Sequence, residues 1–164
     1  MQRFELFFSQ SWYTRLSSWE KELVRTAVEL FSREERLHSF FEDYSFIVFP
    51  MAKAYEGFLK KYFYDLGLIS LAMYNDKHFR IGRSLNPDIH PSRRENDWVY
   101  GGLVEICGTE VSRNLWETWL SCRNQLFHYF PTFEKRLSLE ESGKHLEQLA
   151  AAMETAVECQ VQFQ

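Results

Sequence analysis

Proline and glycine are scarce: 4 and 7 among 164 residues. A fold made of many short strands needs turns rich in both, so an all-β architecture is excluded. Cysteine is scarcer still. Cys107, Cys122 and Cys159 show no C-x-x-C spacing. That argues against a zinc site, and the odd, unpatterned number points to a reducing compartment without a disulfide framework. Cys122 reads as a small buried hydrophobe rather than a reactive thiol. No metal and no cofactor are expected. No stretch reaches the ~18 apolar residues of a membrane span, and the start, Met1-Gln2-Arg3-Phe4-Glu5, has no signal-peptide pattern. A soluble cytoplasmic protein with no membrane partner is the expectation.

What is present is aromatic. Phe, Trp and Tyr make up 17% of the chain, with 15 Phe, inside an otherwise ordinary 45% hydrophobic and 26% charged composition. Rings in this number suit packed helices or a ring-lined contact between subunits. The net charge of −4 is unevenly spread. Between Lys77 and Arg94, the cations Lys77, Arg80, Arg83, Arg93 and Arg94 face only Asp88, giving +4, so the remainder carries −8. A basic segment on an acidic body suits a phosphate-binding rim, or simply a solvated loop.

Beyond the first 17 residues the apolar spacing predicts helices. Ser17 or Ser18 offers an N-cap, with Glu20 and Glu22 following, for a helix over about 18 to 38. A second runs from about 46 or 50 to 65, with Gly67 as its C′ residue. A third extends from near Trp98 to Cys107-Gly108. A fourth, capped by Thr109 or Ser112, covers about 110 to 129 and is closed by Pro131. Ser138 caps a last helix to about 162. Residues 1–17 form an aromatic arm that reads as helix or strand. Residues 75–97 lose all periodicity at Asn75, Gly82, Asn86, Pro87, Pro91 and Asn96 and read as a long basic loop. The expected fold is all-α: one domain over 1–164, a bundle of four to five helices with a long basic loop insert.

The chemistry concentrates in Arg123-Asn124-Gln125-Leu126-Phe127-His128. Arginine brings a permanent charge and a planar fork suited to phosphate. Histidine exchanges a proton near neutrality. Asn124 and His128 stand one helical turn apart, whereas Arg123 and His128 are displaced by about 140° on an ideal helix. RNA transesterification needs a base for the 2′-OH, an acid for the leaving oxygen and positive charge at phosphorus. The motif supplies one proton carrier and one cation, and a two-fold homodimer would supply each twice around one cleft. Arg80, Arg83, Arg93 and Arg94, with His78 and His90, are candidate backbone-gripping groups. Glu56 and Tyr129 are possible auxiliaries. Glu56 also pairs with Lys60 in the favourable i,i+4 order.

These residues resemble the HEPN superfamily, small helical domains carrying R-x(4–6)-H. Arg123 to His128 has its R-N-x-x-x-H form, and Ala54-Tyr55-Glu56-Gly57-Phe58-Leu59-Lys60 looks like the family's earlier helix. The likeness covers roughly 45–163 and is greatest to the HEPN domain of RNase LS-type toxins of toxin–antitoxin systems. It implies a metal-independent endoribonuclease, acting in growth arrest or phage defence as a homodimer, with RNA as substrate and a possible protein antitoxin. Arg123 and His128 would be the functional pair, with Asn124 orienting the site. Some family toxins carry a nucleotide-accepting tyrosine two residues after the histidine; here that position is Phe130, and Tyr129 is adjacent. The alternative is a non-catalytic HEPN module that binds a nucleotide or a partner protein.

Overall fold

The computed structural model describes residues 2–132 and 134–162. The expected domain and arm also take in Met1, Phe163 and Gln164, which lie outside the described residues. The described chain is helical, with no β-strand element. A 3-10 helix, Gln2–Ser9, leads into α1 (Ser11–Arg15). Four long helices follow at intervals: α2 (Ser18–Leu37), α3 (Ser45–Asp65), α6 (Tyr100–Trp119) and α8 (Leu139–Gln162). Between α3 and α6 lie the short helices α4 (Leu71–Asn75) and α5 (Ile81–Ser84) and a 3-10 turn, Pro91–Arg93. A three-residue helix, α7 (Gln125–Phe127), precedes the link to α8.

Local chemistry sets these boundaries. Ser17 accepts from the Glu20 amide while the Glu20 carboxylate accepts from the Ser17 amide, a reciprocal box that starts α2. Ser138 and Glu141 repeat the arrangement at the start of α8. Those bonds to Ser138 hold the Glu141 carboxyl below its ordinary value. Gly67 follows the end of α3; its amide donates to the Tyr64 carbonyl, and its φ of 72° turns the chain so that the Leu68 amide reaches the Phe63 carbonyl. At the other end of α3, the Asp43 carboxylate accepts from the amides of Ser45 and Leu137, tying the approach to α8 onto the start of α3.

α2 packs on α3, both pack on α8, and α6 lies against α8. The aromatic arm joins this core rather than hanging free. Phe4 and Trp12 are fully buried, and Arg3 bonds both Glu147 and Glu140 of α8 while lying over the rings of Phe4 and Phe31. Between α3 and α6, the buried Tyr55 hydroxyl donates to the Leu115 carbonyl at 3.0 Å, and burial pushes its pKa well up.

Two expectations are corrected. The segment 75–97 is not a featureless loop: Ile81 and Leu85 are buried in the core, and the Val99 amide donates to the Ser84 carbonyl at 2.9 Å. Its Gly and Pro residues hide an anchor of two apolar side chains, too short to register as a period. The cysteines are not all unpaired either. Cys107 and Cys159 form a disulfide between α6 and α8, with Cα atoms 5.7 Å apart. They stand 52 positions apart in sequence, so local spacing carries no trace of the pairing, and a reducing compartment draws no support from the cysteines. Reduction, or Cys159→Ser, is expected to lower unfolding free energy by about 2–4 kcal/mol, because cross-links restrict the unfolded chain. Urea unfolding with and without thiol reductant measures this, and an unchanged midpoint would refute it.

Candidate functional site

α6 is interrupted twice. At Gly108 the backbone leaves helical geometry (φ 82°, ψ 167°), which only glycine adopts freely, and the Ser112 hydroxyl donates to the Gly108 carbonyl. At the other end the chain does not run on as an α-helix to 129. Leu120–Asn124 forms a wider π-helical turn in which the Gln125 amide donates to the Leu120 carbonyl. Turns of this kind are rare and gather at functional sites. α7 then stops at Phe127, and His128 is extended (φ −106°, ψ 137°). Pro131 disfavours helical geometry at Phe130, so the helix could not have continued far past this point.

The wide turn is anchored from behind. Cys122 is fully buried, its Sγ lying 3.2 Å from His145 Nδ1 and 3.3 Å from Gln148 Oε1 on α8. The Gln148 amide donates to the Ser121 hydroxyl at 3.0 Å. Burial pushes the Cys122 thiol up to about 11, so it serves as a neutral packing group and donor. Burial, and then the nearby Lys135 charge, hold the His145 imidazole below its ordinary value, against weaker raising effects of Gln148 and Glu141.

In front of the turn lies an open cleft of about 500 Å³. One wall is Trp116, Trp119, Arg123 and Asn124, with His128 beyond them. The other is the segment Lys77–Arg83 with Asn86, and Glu56 of α3 joins them. Lys77, Arg80, Arg83 and Arg123 face Glu56 as the single carboxylate of the lining, so this cleft is cationic on an acidic protein. Glu56 Oε2 stands 3.6 Å from Arg123 Nε. The Arg123 guanidinium lies within 6 Å of the rings of Trp119 and Phe127, at 5.9 and 5.7 Å. A part-exposed ion pair of this kind adds little stability, and its effect is to orient the guanidinium.

Arg123, Asn124, His128, Glu56, Arg80 and Arg83 therefore meet at one place. Arg93 and Arg94 do not line it. Arg93 borders a separate depression with His90, and Arg94 stacks 4.1 Å over Trp98 while donating to the Ile89 carbonyl. Arg83 is shared, bonding Glu95 at 2.7 Å. Tyr129 is exposed and is not part of the lining. Trp116 and Trp119 also line the cleft; their helical spacing carries no sign of it.

Gly82 lets the two walls close together. A Cβ there would stand 2.7 Å from Trp119 Nε1, inside a packed ring. Gly82→Ala is expected to cost about 1–3 kcal/mol by overpacking and to swing the basic wall outward. Thermal unfolding and protease sensitivity near residue 80 report it; wild-type values for both would remove this account of the wall. The anchor behind the turn predicts a pH effect. His145 has a lowered folded pKa, so the native state resists protonation there. Stability is therefore full above the unfolded value of 6.5 and falls as pH drops below it. Urea midpoints from pH 7.5 to 5 should decline more steeply in wild type than in His145→Gln, and parallel curves would contradict this.

Comparison of the chain with protein-family models, with curated proteins and with solved structures finds no match, so a functional reading rests on the cleft itself.

Proposed function

We propose that the protein is a metal-independent endoribonuclease of HEPN-like type, serving as a toxin or phage-defence nuclease, with RNA bound in the cationic cleft. The observation that carries this reading is the common cleft of Arg123, Asn124 and His128, ringed by Lys77, Arg80 and Arg83. The guanidinium groups neutralise a phosphodiester and the charge that builds on it during attack. An imidazole moves the proton. With one carboxylate beside several cations, the lining suits an anion and is a poor donor set for a divalent metal.

A homodimer is part of the reading. Exposed rings run from Phe41 through Phe46 to Phe49, which meets Phe127 edge to face at 5.2 Å. Phe127 in turn lies against Arg123. This stripe reaches the edge of the cleft and suits a second copy, which would set two clefts on one face. The same stripe would serve the alternative, a non-catalytic module docking a partner protein such as an antitoxin.

Purified protein with total RNA in EDTA decides between them. Cleavage is expected, leaving 2′,3′-cyclic phosphate ends, with DNA intact because it lacks the attacking 2′-OH. His128→Ala should lose ~10²–10⁴ in rate. Absence of cleavage by wild type, or full cleavage by His128→Ala, rejects the nuclease.

A further inference from the structure

We propose that His78 is the second proton carrier of the cleft, so that each chain holds a complete acid–base pair with His128; this rests on the nuclease reading above. Cleavage through the 2′-OH needs two proton movements. One group takes the 2′-OH proton as the 2′-oxygen bonds to phosphorus. Another gives a proton to the 5′-oxygen as the P–O5′ bond breaks. The cyclic phosphate and the free 5′-OH account for every atom, and no oxidant or further reactant enters. A single imidazole cannot occupy both faces of an in-line displacement.

The chain has five histidines, and two of them line this cleft: His78 on the basic wall and His128 at the end of α7. The others serve elsewhere. His145 lies behind the wide turn against Cys122. His90 borders a different depression, its Nδ1 occupied by the Ser92 hydroxyl at 2.8 Å. His38 ends α2 in left-handed geometry and does not line the cleft. Both cleft histidines are exposed, as groups that exchange protons with substrate must be.

His78 also stands on a fixed base. Its amide donates to Asp76 Oδ1 at 2.8 Å. The Asp76 carbonyl accepts from Lys60 of α3 at 2.8 Å, and the Lys60 ammonium lies 5.7 Å from the neighbouring Phe79 ring. The turn that carries His78 is thus pinned to the helix that carries Glu56. Its partner wall carries Arg123 and His128. An acid and a base mounted on two separately anchored walls can flank a phosphodiester lying between them.

Single-turnover cleavage in EDTA from pH 5 to 9 tests this with wild type, His78→Gln, His128→Gln and an equal mixture of the two variants. His78→Gln is expected to lose ~10²-fold or more, with one limb of the bell-shaped pH profile missing and the thermal midpoint unchanged. The mixture should cut no faster than either variant alone. Recovery of about a quarter of the wild-type rate would mean that the imidazoles meet across a two-fold axis, which overturns the proposal. So would a His78→Gln chain that keeps full rate and both limbs, while the nuclease reading stands. A wild-type chain that fails to cut removes both.

Discussion

One backbone hydrogen bond decides the geometry of the candidate site: the Gln125 amide to the Leu120 carbonyl. It replaces an α-turn with a wider one that leads into the Arg-Asn-x-x-x-His motif and takes in Arg123 and Asn124. On an unbroken helix Arg123 and His128 would be displaced by about 140° around the axis. Here the wide turn and the extended backbone of His128 allow both to line the same cleft. A wide turn is not favoured by itself, and the core supports this one. Cys122, at its centre, is fully buried against His145 and Gln148 of α8. The thiol, which sequence spacing alone makes unremarkable, is placed where a larger or charged side chain would disturb the turn.

The opposite wall obeys a different constraint. Five basic residues within 77–94 repel one another, yet part of the segment must lie against the body of the protein. Burial of Ile81 and Leu85 supplies the attraction, roughly 1.5–3 kcal/mol for each side chain. Ion pairs distribute the charge without adding much stability: Arg83 to Glu95, Arg123 to Glu56. Arg94 is drawn away onto Trp98. What faces the cleft is therefore a selected part of the basic segment, Lys77, Arg80 and Arg83. Charge counting along the chain cannot make that selection, because it depends on which apolar residues turn inward.

The legibility of the sequence follows the range of each interaction. Ser17 and Ser138 with their following glutamates, and Gly67 at the end of α3, act within a few residues, and each sits at the expected helix boundary. The long amphipathic helices declare themselves by period. The disulfide joins residues 52 apart, and Cys122 meets α8 at residues 23 and 26 positions on, so neither leaves a local pattern. Phe4, Phe7 and Trp12 fit several local structures, so the sequence of the arm leaves its form open; in the fold it is helical and packs on α8. The motif itself was legible as chemistry, but its presentation was not, since helical phase extrapolated through Leu120–Asn124 gives the wrong direction for everything after it.

With one imidazole per chain, a dimer would be required to assemble the acid–base pair, and the apolar stripe would be under chemical constraint. If His78 and His128 act as proposed from the walls of one cleft, the pair is assembled within each chain, and a dimer would add only reach. Two clefts on one face would then bind successive phosphates of a strand, and the second binding would be intramolecular. Such a stripe could also be covered by a partner protein. Phe127 links the two regions, since its ring touches both Phe49 of the stripe and the Arg123 guanidinium. A protein seated on the stripe would therefore meet the ring that lies against the cation used in the proposed reaction.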